Sequence, residues 1–341
     1  MALSVEQKDL VDLIRQALAR NDRVFAKFWQ EVNAVFLREP PGPLTSFRRK
    51  LILRDINVII SRYYGSTVEG ALSSTLFKEM LASTDSAAAL PFQRSIERVK
   101  NVIDKSDPTF WGRNIASKAS SKSADPFLRV LGDLNGPETQ RQRLLRSKAL
   151  DADRAWVKRE RWNTRSGYRL SQRLWKNGRD VRQAIDQRLR EGIANGEDAL
   201  SIARSLESHL NPAFKSEDVT KNGKLIRRNQ TLAPGRGDWG NVSARRLART
   251  ETTRVHGAAV IEAAKVTPGV IGVRWVLSAS HEGQDGCNDN ASRDDGFGAG
   301  VYKTGDVPPY PEHPNCTCTL TPATKPREQM IDDLIAKYGG D

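Results

Sequence analysis

The chain has 341 residues, of which 38% are apolar, with three cysteines and a net charge of +13. That length suits two or three domains, and the modest apolar fraction suits small cores joined by long polar helices. No run of about 18 apolar residues occurs, which excludes a membrane-crossing helix. The opening MALSVEQKDL lacks the order of a secretory leader, so a cytosolic origin is expected.

Residues 4–39 read as a first long helix. Ser4 and Gln7 have capping-box spacing. Leu10, Leu13, Ile14, Ala17 and Leu18 then fall on one stripe, which Phe25, Phe28, Val32 and Val35 continue until Pro40 stops it. A second helical stretch is expected over 46–81, with Leu51, Leu53, Ile56, Ile59 and Ile60 as its apolar side, and a third near 92–103. Residues 117–125 (SKASSKSAD) are small and polar and read as a linker.

The stretch 126–210 is again helical, with its apolar spacing interrupted at Asn177-Gly178, and it carries most of the charge. Between residues 141 and 190, 16 basic residues stand against 5 acidic ones, a net +11. Such clustering suits a polyanion, and phosphate contact without sequence preference is assigned to Arg141, Arg143, Arg146, Lys148, Arg159, Arg161, Arg165 and Arg169. The interleaved Trp156, Trp162, Tyr168 and Trp175 are assigned to packing. The plain alternative is a solvated helix face. Residues 211–238 read as an exposed loop or an extended hairpin arm.

A last long helix is expected over 241–265, stopped by Pro268-Gly269, followed by a strand over 270–277 (VIGVRWVL). Glu251 lies on the apolar stripe of that helix, four residues from both Leu247 and Val255. A carboxylate there needs a partner, with Arg254, Arg274 or a backbone donor as candidates. A structural buried pair of Glu251 and Arg254 is expected rather than a catalytic acid.

From 276 to 320 the balance reverses, with 2 basic and 7 acidic residues. This loop-rich segment has too few large apolar side chains to pack unaided and needs a staple or a dock. All three cysteines fall here, with two of the four histidines: His281, Cys287, His313, Cys316 and Cys318. Thiolates with imidazole nitrogens suit tetrahedral zinc, as three cysteines and one histidine or two of each. The other option is plain thiols, buried as small apolar groups. Asp285, Asp289, Asp294 and Asp295 lack the ligand rhythm of a calcium loop and read as polar turns.

The segments ARTETTRVHGAA, IGVRWVLS, HEGQDGC and PPYPEHPNCTCTLTP, in this order, resemble the Mu F-like phage head morphogenesis family, the minor head proteins. The preceding LSQRLWKNGRDVRQAIDQRLREGIANGEDALSIARSL resembles the helical segment before that domain, so the likeness spans residues 170–322. Many family members carry a C-x-x-C pair after the strand. Here Cys287 has Asn290 three residues on, so His281 or His313 would have to replace the lost thiol.

The resemblance implies a virion protein, assembled in the host cytoplasm with portal, scaffold or major capsid protein and lying near packaged DNA. It implies no catalytic activity. A metal-dependent nuclease centred on the His/Cys cluster is the contrasting function class. The expected fold is mainly α with a small α+β C-terminal domain: a helical N-terminal domain (1–125), a basic helical region (126–238), a loop-rich module with short strands (239–325) and a helical tail (326–341).

Overall fold

The computed structural model describes residues 4–65, 75–159, 170–212, 218–221, 224–227, 241–279, 281 and 283–339. Arg161, Arg165, Arg169, Trp162 and Tyr168 lie outside the described residues. The fold is mainly α with a small antiparallel sheet near the C-terminus. Its helices include α1 (Val5–Leu37), α2 (Ser46–Tyr64), α3 (Thr75–Asp104), α4 (Pro126–Asn135), α5 (Glu138–Arg159), α6 (Leu170–Ala194), α7 (Ala199–Leu210), α8 (Asn241–Val266), the short α9 (Gly286–Ser292) and α10 (Arg327–Tyr338). A hairpin of β1 (Asp218–Lys221) and β2 (Lys224–Arg227) falls where an arm was expected. Strands β3 (Val270–Val276), β4 (Val301–Tyr302) and β5 (Thr319–Thr324) form the sheet, in the order β4-β3-β5. No helix among the described residues is long and apolar enough to cross a membrane.

Contacts divide the chain into two compact units, and these cut across the four sequential segments. One holds Met1–Arg15, Ala82–Gly167 and Thr250–Asp341; the other holds Gln16–Leu81 and Tyr168–Arg249.

The second unit is a helical core. Val24, Phe25, Phe28, Val32 and Phe36 of α1 pack with Ile52, Ile56 and Ile60 of α2 and with Val181, Ile185 and Leu189 of α6. Phe28 meets Tyr63 edge-on at 5.2 Å and Tyr64 at 6.0 Å, the arrangement aromatic quadrupoles favour. Helix α6 runs unbroken through Asn177-Gly178. A Cβ at Gly178 would sit 2.8 Å from the Tyr64 Cβ, so glycine is there to let α6 approach α2 rather than to end it. Arg49 and Asp186 tie the same two helices at 2.8 Å.

In the first unit, α1 opens with the expected capping box: the Gln7 N–H donates to Ser4 Oγ (3.2 Å) and the Ser4 N–H to Gln7 Oε1 (3.0 Å). Leu13 packs with Ala87, Ala88 and Phe92 of α3, Val130 of α4 and Val255, Ala259 and Ala263 of α8. Alanines at these crossings let the backbones come close. Helix α3 starts well before residue 92 and contains Pro91. The proline forfeits one backbone hydrogen bond, but the buried residues on both sides of it hold the helix continuous.

The 117–125 segment is not a free linker. The Asp125 side chain accepts the N–H groups of Phe127 (2.8 Å) and Leu128 (3.2 Å) and so caps α4. Its other oxygen meets Lys337 of α10 at 2.9 Å. Met330, Leu334 and Tyr338 of α10 complete a core with Val99, Ile103, Phe127 and Leu131.

Candidate metal centre

Three pieces of the first unit converge to make the centre. The strand β3 is buried through Val273 and Trp275 and pairs with β5 from Val270↔Thr324 to Val276↔Thr319. The short helix α9 begins at Asp285, whose side chain accepts the Cys287 N–H at 2.8 Å. The segment 310–318 lies along α8.

That docking is made by polar pins. Thr250 Oγ1 accepts the Asn315 N–H (3.1 Å), and Thr253 Oγ1 donates to the Cys316 carbonyl (3.2 Å). The Tyr310 hydroxyl, held protonated by burial, donates to the Cys318 carbonyl at 2.6 Å. Tyr310 in turn rests on Gly257, where a Cβ would come within 2.1 Å of its ring, and stacks edge-on with Trp275 at 5.2 Å.

These pins deliver all three thiols to one buried place. Cys287 Sγ and Cys316 Sγ are 3.6 Å apart, and Cys318 Sγ is 3.8 Å from His281 Nδ1. Sulfurs on a tetrahedral zinc with Zn–S near 2.3 Å stand roughly 3.8 Å apart, so the spacing fits an ion of that size. The five donors form two groups of three that share Cys287. One holds His281, Cys287 and Cys318, the other Cys287, His313 and Cys316, each with its ligand atoms within 4.8 Å of one another. Cys318 falls with His281 and Cys316 with His313.

No family model, curated protein or solved structure matches this chain. The chemistry of the site therefore rests on its own donors.

Three thiols this close cannot all ionise unaided. Cys318 is drawn down to about 2 by its contacts with the Cys287 and Cys316 thiols. Cys287 is pushed far up by its contacts with Cys316 and Cys318 and by burial. Cys316 rises to about 12: the Cys287 contact acts downward, but the Cys318 contact and burial outweigh it. A divalent cation would allow more of them to ionise.

Both histidines are held by their outer nitrogens. His281 Nε2 lies 2.9 Å from Asn288 Oδ1, and His313 Nδ1 lies 3.0 Å from the Pro314 carbonyl. His313 Nε2 is buried and sits 3.2 Å from Asp285 Oδ2. Converging thiols flanked by two imidazoles are a donor set that could hold a metal ion, and the residues fit the group.

Glu251 and Arg254 are both almost fully buried and form an ion pair, with the guanidinium Nε donating to Glu251 Oε2 at 2.6 Å. Arg274 is exposed on β3. The acidic loop serves as turns: Asp294 Oδ1 accepts the N–H groups of Gly296 and Gly298, and Asp295 meets Arg293 at 2.9 Å.

Of the basic residues, Arg143 and Arg146 are exposed on α5, while Arg141 and Lys148 are half-buried, the latter over the Phe92 ring at 5.8 Å. Arg159 is the last residue of α5. Further on, Arg188 is taken up internally by Glu197 and Ser205. Sequence reasoning missed Thr250, Thr253, Gly257 and Asn288. The signal for the first three was present, since positions i, i+3 and i+7 lie on one helix face.

Proposed function

We propose that this chain is a minor head morphogenesis protein of a tailed bacteriophage, a portal-associated virion component without enzymatic activity. One observation carries the reading. The segments that resemble the Mu F-like family come from α8, β3, the start of α9 and the approach to β5, and these four pack as one module around shared thiols. A resemblance scattered over unrelated surfaces would carry little; here each piece has a structural task in the same place.

In this reading the cluster holds zinc, as a staple rather than a reactive centre. Structural zinc supplies about 10–16 kcal/mol, which suits a segment with few large apolar residues. The net +11 between residues 141 and 190, with Arg143 and Arg146 exposed on α5, supports phosphate contact with packaged DNA.

The test is assembly. The chain is co-expressed with phage portal, scaffold and major capsid proteins, and heads are separated by sedimentation. The reading expects a few copies per particle, retained only when portal is present. Heads that lack the chain yet package DNA and infect normally would overturn it. A salt titration on two unrelated duplexes tests the DNA part. Neutralising about six phosphates gives equal affinities with a log–log slope of about −5. Absence of binding at low salt would assign the charge to an acidic protein surface instead, and cleavage of plasmid with divalent metal would favour a nuclease.

A further inference from the structure

The metal-centre reading leaves open which histidine completes the site and through which nitrogen. The structure answers through a residue outside the donor set. Asn288 Oδ1 accepts the backbone N–H of Asp285 at 3.0 Å, as part of the capping box that starts α9. A backbone N–H can only donate, so the oxygen of the Asn288 amide, not its NH₂ group, must face it. The same oxygen lies 2.9 Å from His281 Nε2. Nε2 therefore carries the hydrogen, and in the neutral ring Nδ1 is left as a lone pair. That lone pair faces Cys318, 3.8 Å away.

We propose that Asn288 is the positioning residue of the centre: it fixes His281 as an Nδ1 ligand and locks the ring in place. The inference rests on the metal-centre reading. Its chemistry is general, because a ligating histidine is oriented and made more basic by the acceptor on its other nitrogen. What is particular to this chain is the economy of the device. One amide oxygen both starts α9, which carries Cys287, and selects the tautomer of His281, so two ligands on different segments are set by one side chain. His281 is also the better enclosed of the two histidines, with its side chain 10% exposed against 38% for His313.

The experiment uses the full chain loaded with zinc, and cobalt(II) as a coloured substitute. Long-range nitrogen–proton correlation on the zinc-loaded wild type is expected to show His281 protonated at Nε2 and metal-bound at Nδ1. Competition with a chelator is expected to show Asn288→Ala binding zinc about 10–100-fold more weakly. Asn288→Asp, which keeps the acceptor oxygen, should recover most of that loss. A His281 that is metal-free, or bound through Nε2, overturns the proposal without any variant, as does an Asn288→Ala protein with wild-type affinity. A wild-type chain that takes up neither zinc nor cobalt instead defeats the metal-centre reading beneath it, so the two failures are distinguishable.

Discussion

The helical unit built on Phe25, Phe28, Tyr63 and Tyr64 and the thiol-bearing module beside β3 are held by different physics. The first buries large side chains at helical spacing, each fully buried one contributing about 1.5–3 kcal/mol, and no single contact decides the outcome. The second also buries large groups, Trp275, Tyr302 and Tyr310 among them, but its loops are fixed at points: Thr250 and Thr253 hold the Asn315–Cys316 backbone, Tyr310 holds Cys318, and three thiols meet two imidazoles. A distributed core degrades gradually under substitution. On the proposed reading, a pinned loop with a metal staple would fail abruptly when the shared point is lost.

Cys287 is that shared point, since it belongs to both donor groups. Cys287→Ser should reduce bound zinc from about one per chain to near zero, removing a contribution on the order of 10 kcal/mol from the module. Elemental analysis of protein purified without added metal reads this directly. A variant that keeps its zinc would show that Cys287 is not a ligand.

Phe28→Ala tests the other side. It should cost about 3–5 kcal/mol in denaturant unfolding while zinc content stays unchanged. Loss of zinc in this variant would blur the distinction between the two regions.

Glu251→Ala belongs to the pinned side but not to the metal. It removes the carboxylate that meets the buried Arg254 guanidinium, so a loss of about 3–5 kcal/mol and poor solubility are expected. Replacing both residues by apolar ones of similar volume should recover much of the loss. If the single variant is as stable as wild type, the pair is dispensable.

The smallest effect concerns His256 on α8, whose pKa burial lowers to about 4, with Asp9 pulling weakly the other way. Its folded pKa lies below the unfolded value near 6.5. Its contribution is therefore complete above pH 6.5 and is lost as pH falls from 6.5 toward 4. At pH 5 this amounts to about 2 kcal/mol. Urea midpoints at pH 7 and pH 5 should drop more for wild type than for His256→Gln. Parallel drops would assign the pH dependence to other groups.

The same contrast explains how much the sequence told. Helices α1 and α8 and the start of α2 were legible because their cores repeat at helical spacing, and the Ser4–Gln7 cap was legible because it is local, but α2 was read too long, since it ends at Tyr64 with Gly65 as its cap. Helix α3 was read too short and α6 as interrupted, since Pro91 and Gly178 act through tertiary neighbours that spacing does not reveal. That the five His and Cys residues would cluster was legible from residue type. Their division into two groups was not, because it depends on how α8 holds residues 310–318. The two units were equally hidden, each being assembled from distant stretches of chain.

Hydrogen exchange before and after chelation, resolved by peptide, tests the central claim most directly. The account predicts that chelation releases about one zinc per chain and strips protection from residues 286–320, while peptides from 24–64 keep theirs. Unchanged protection at 286–320, with no metal released, would contradict it.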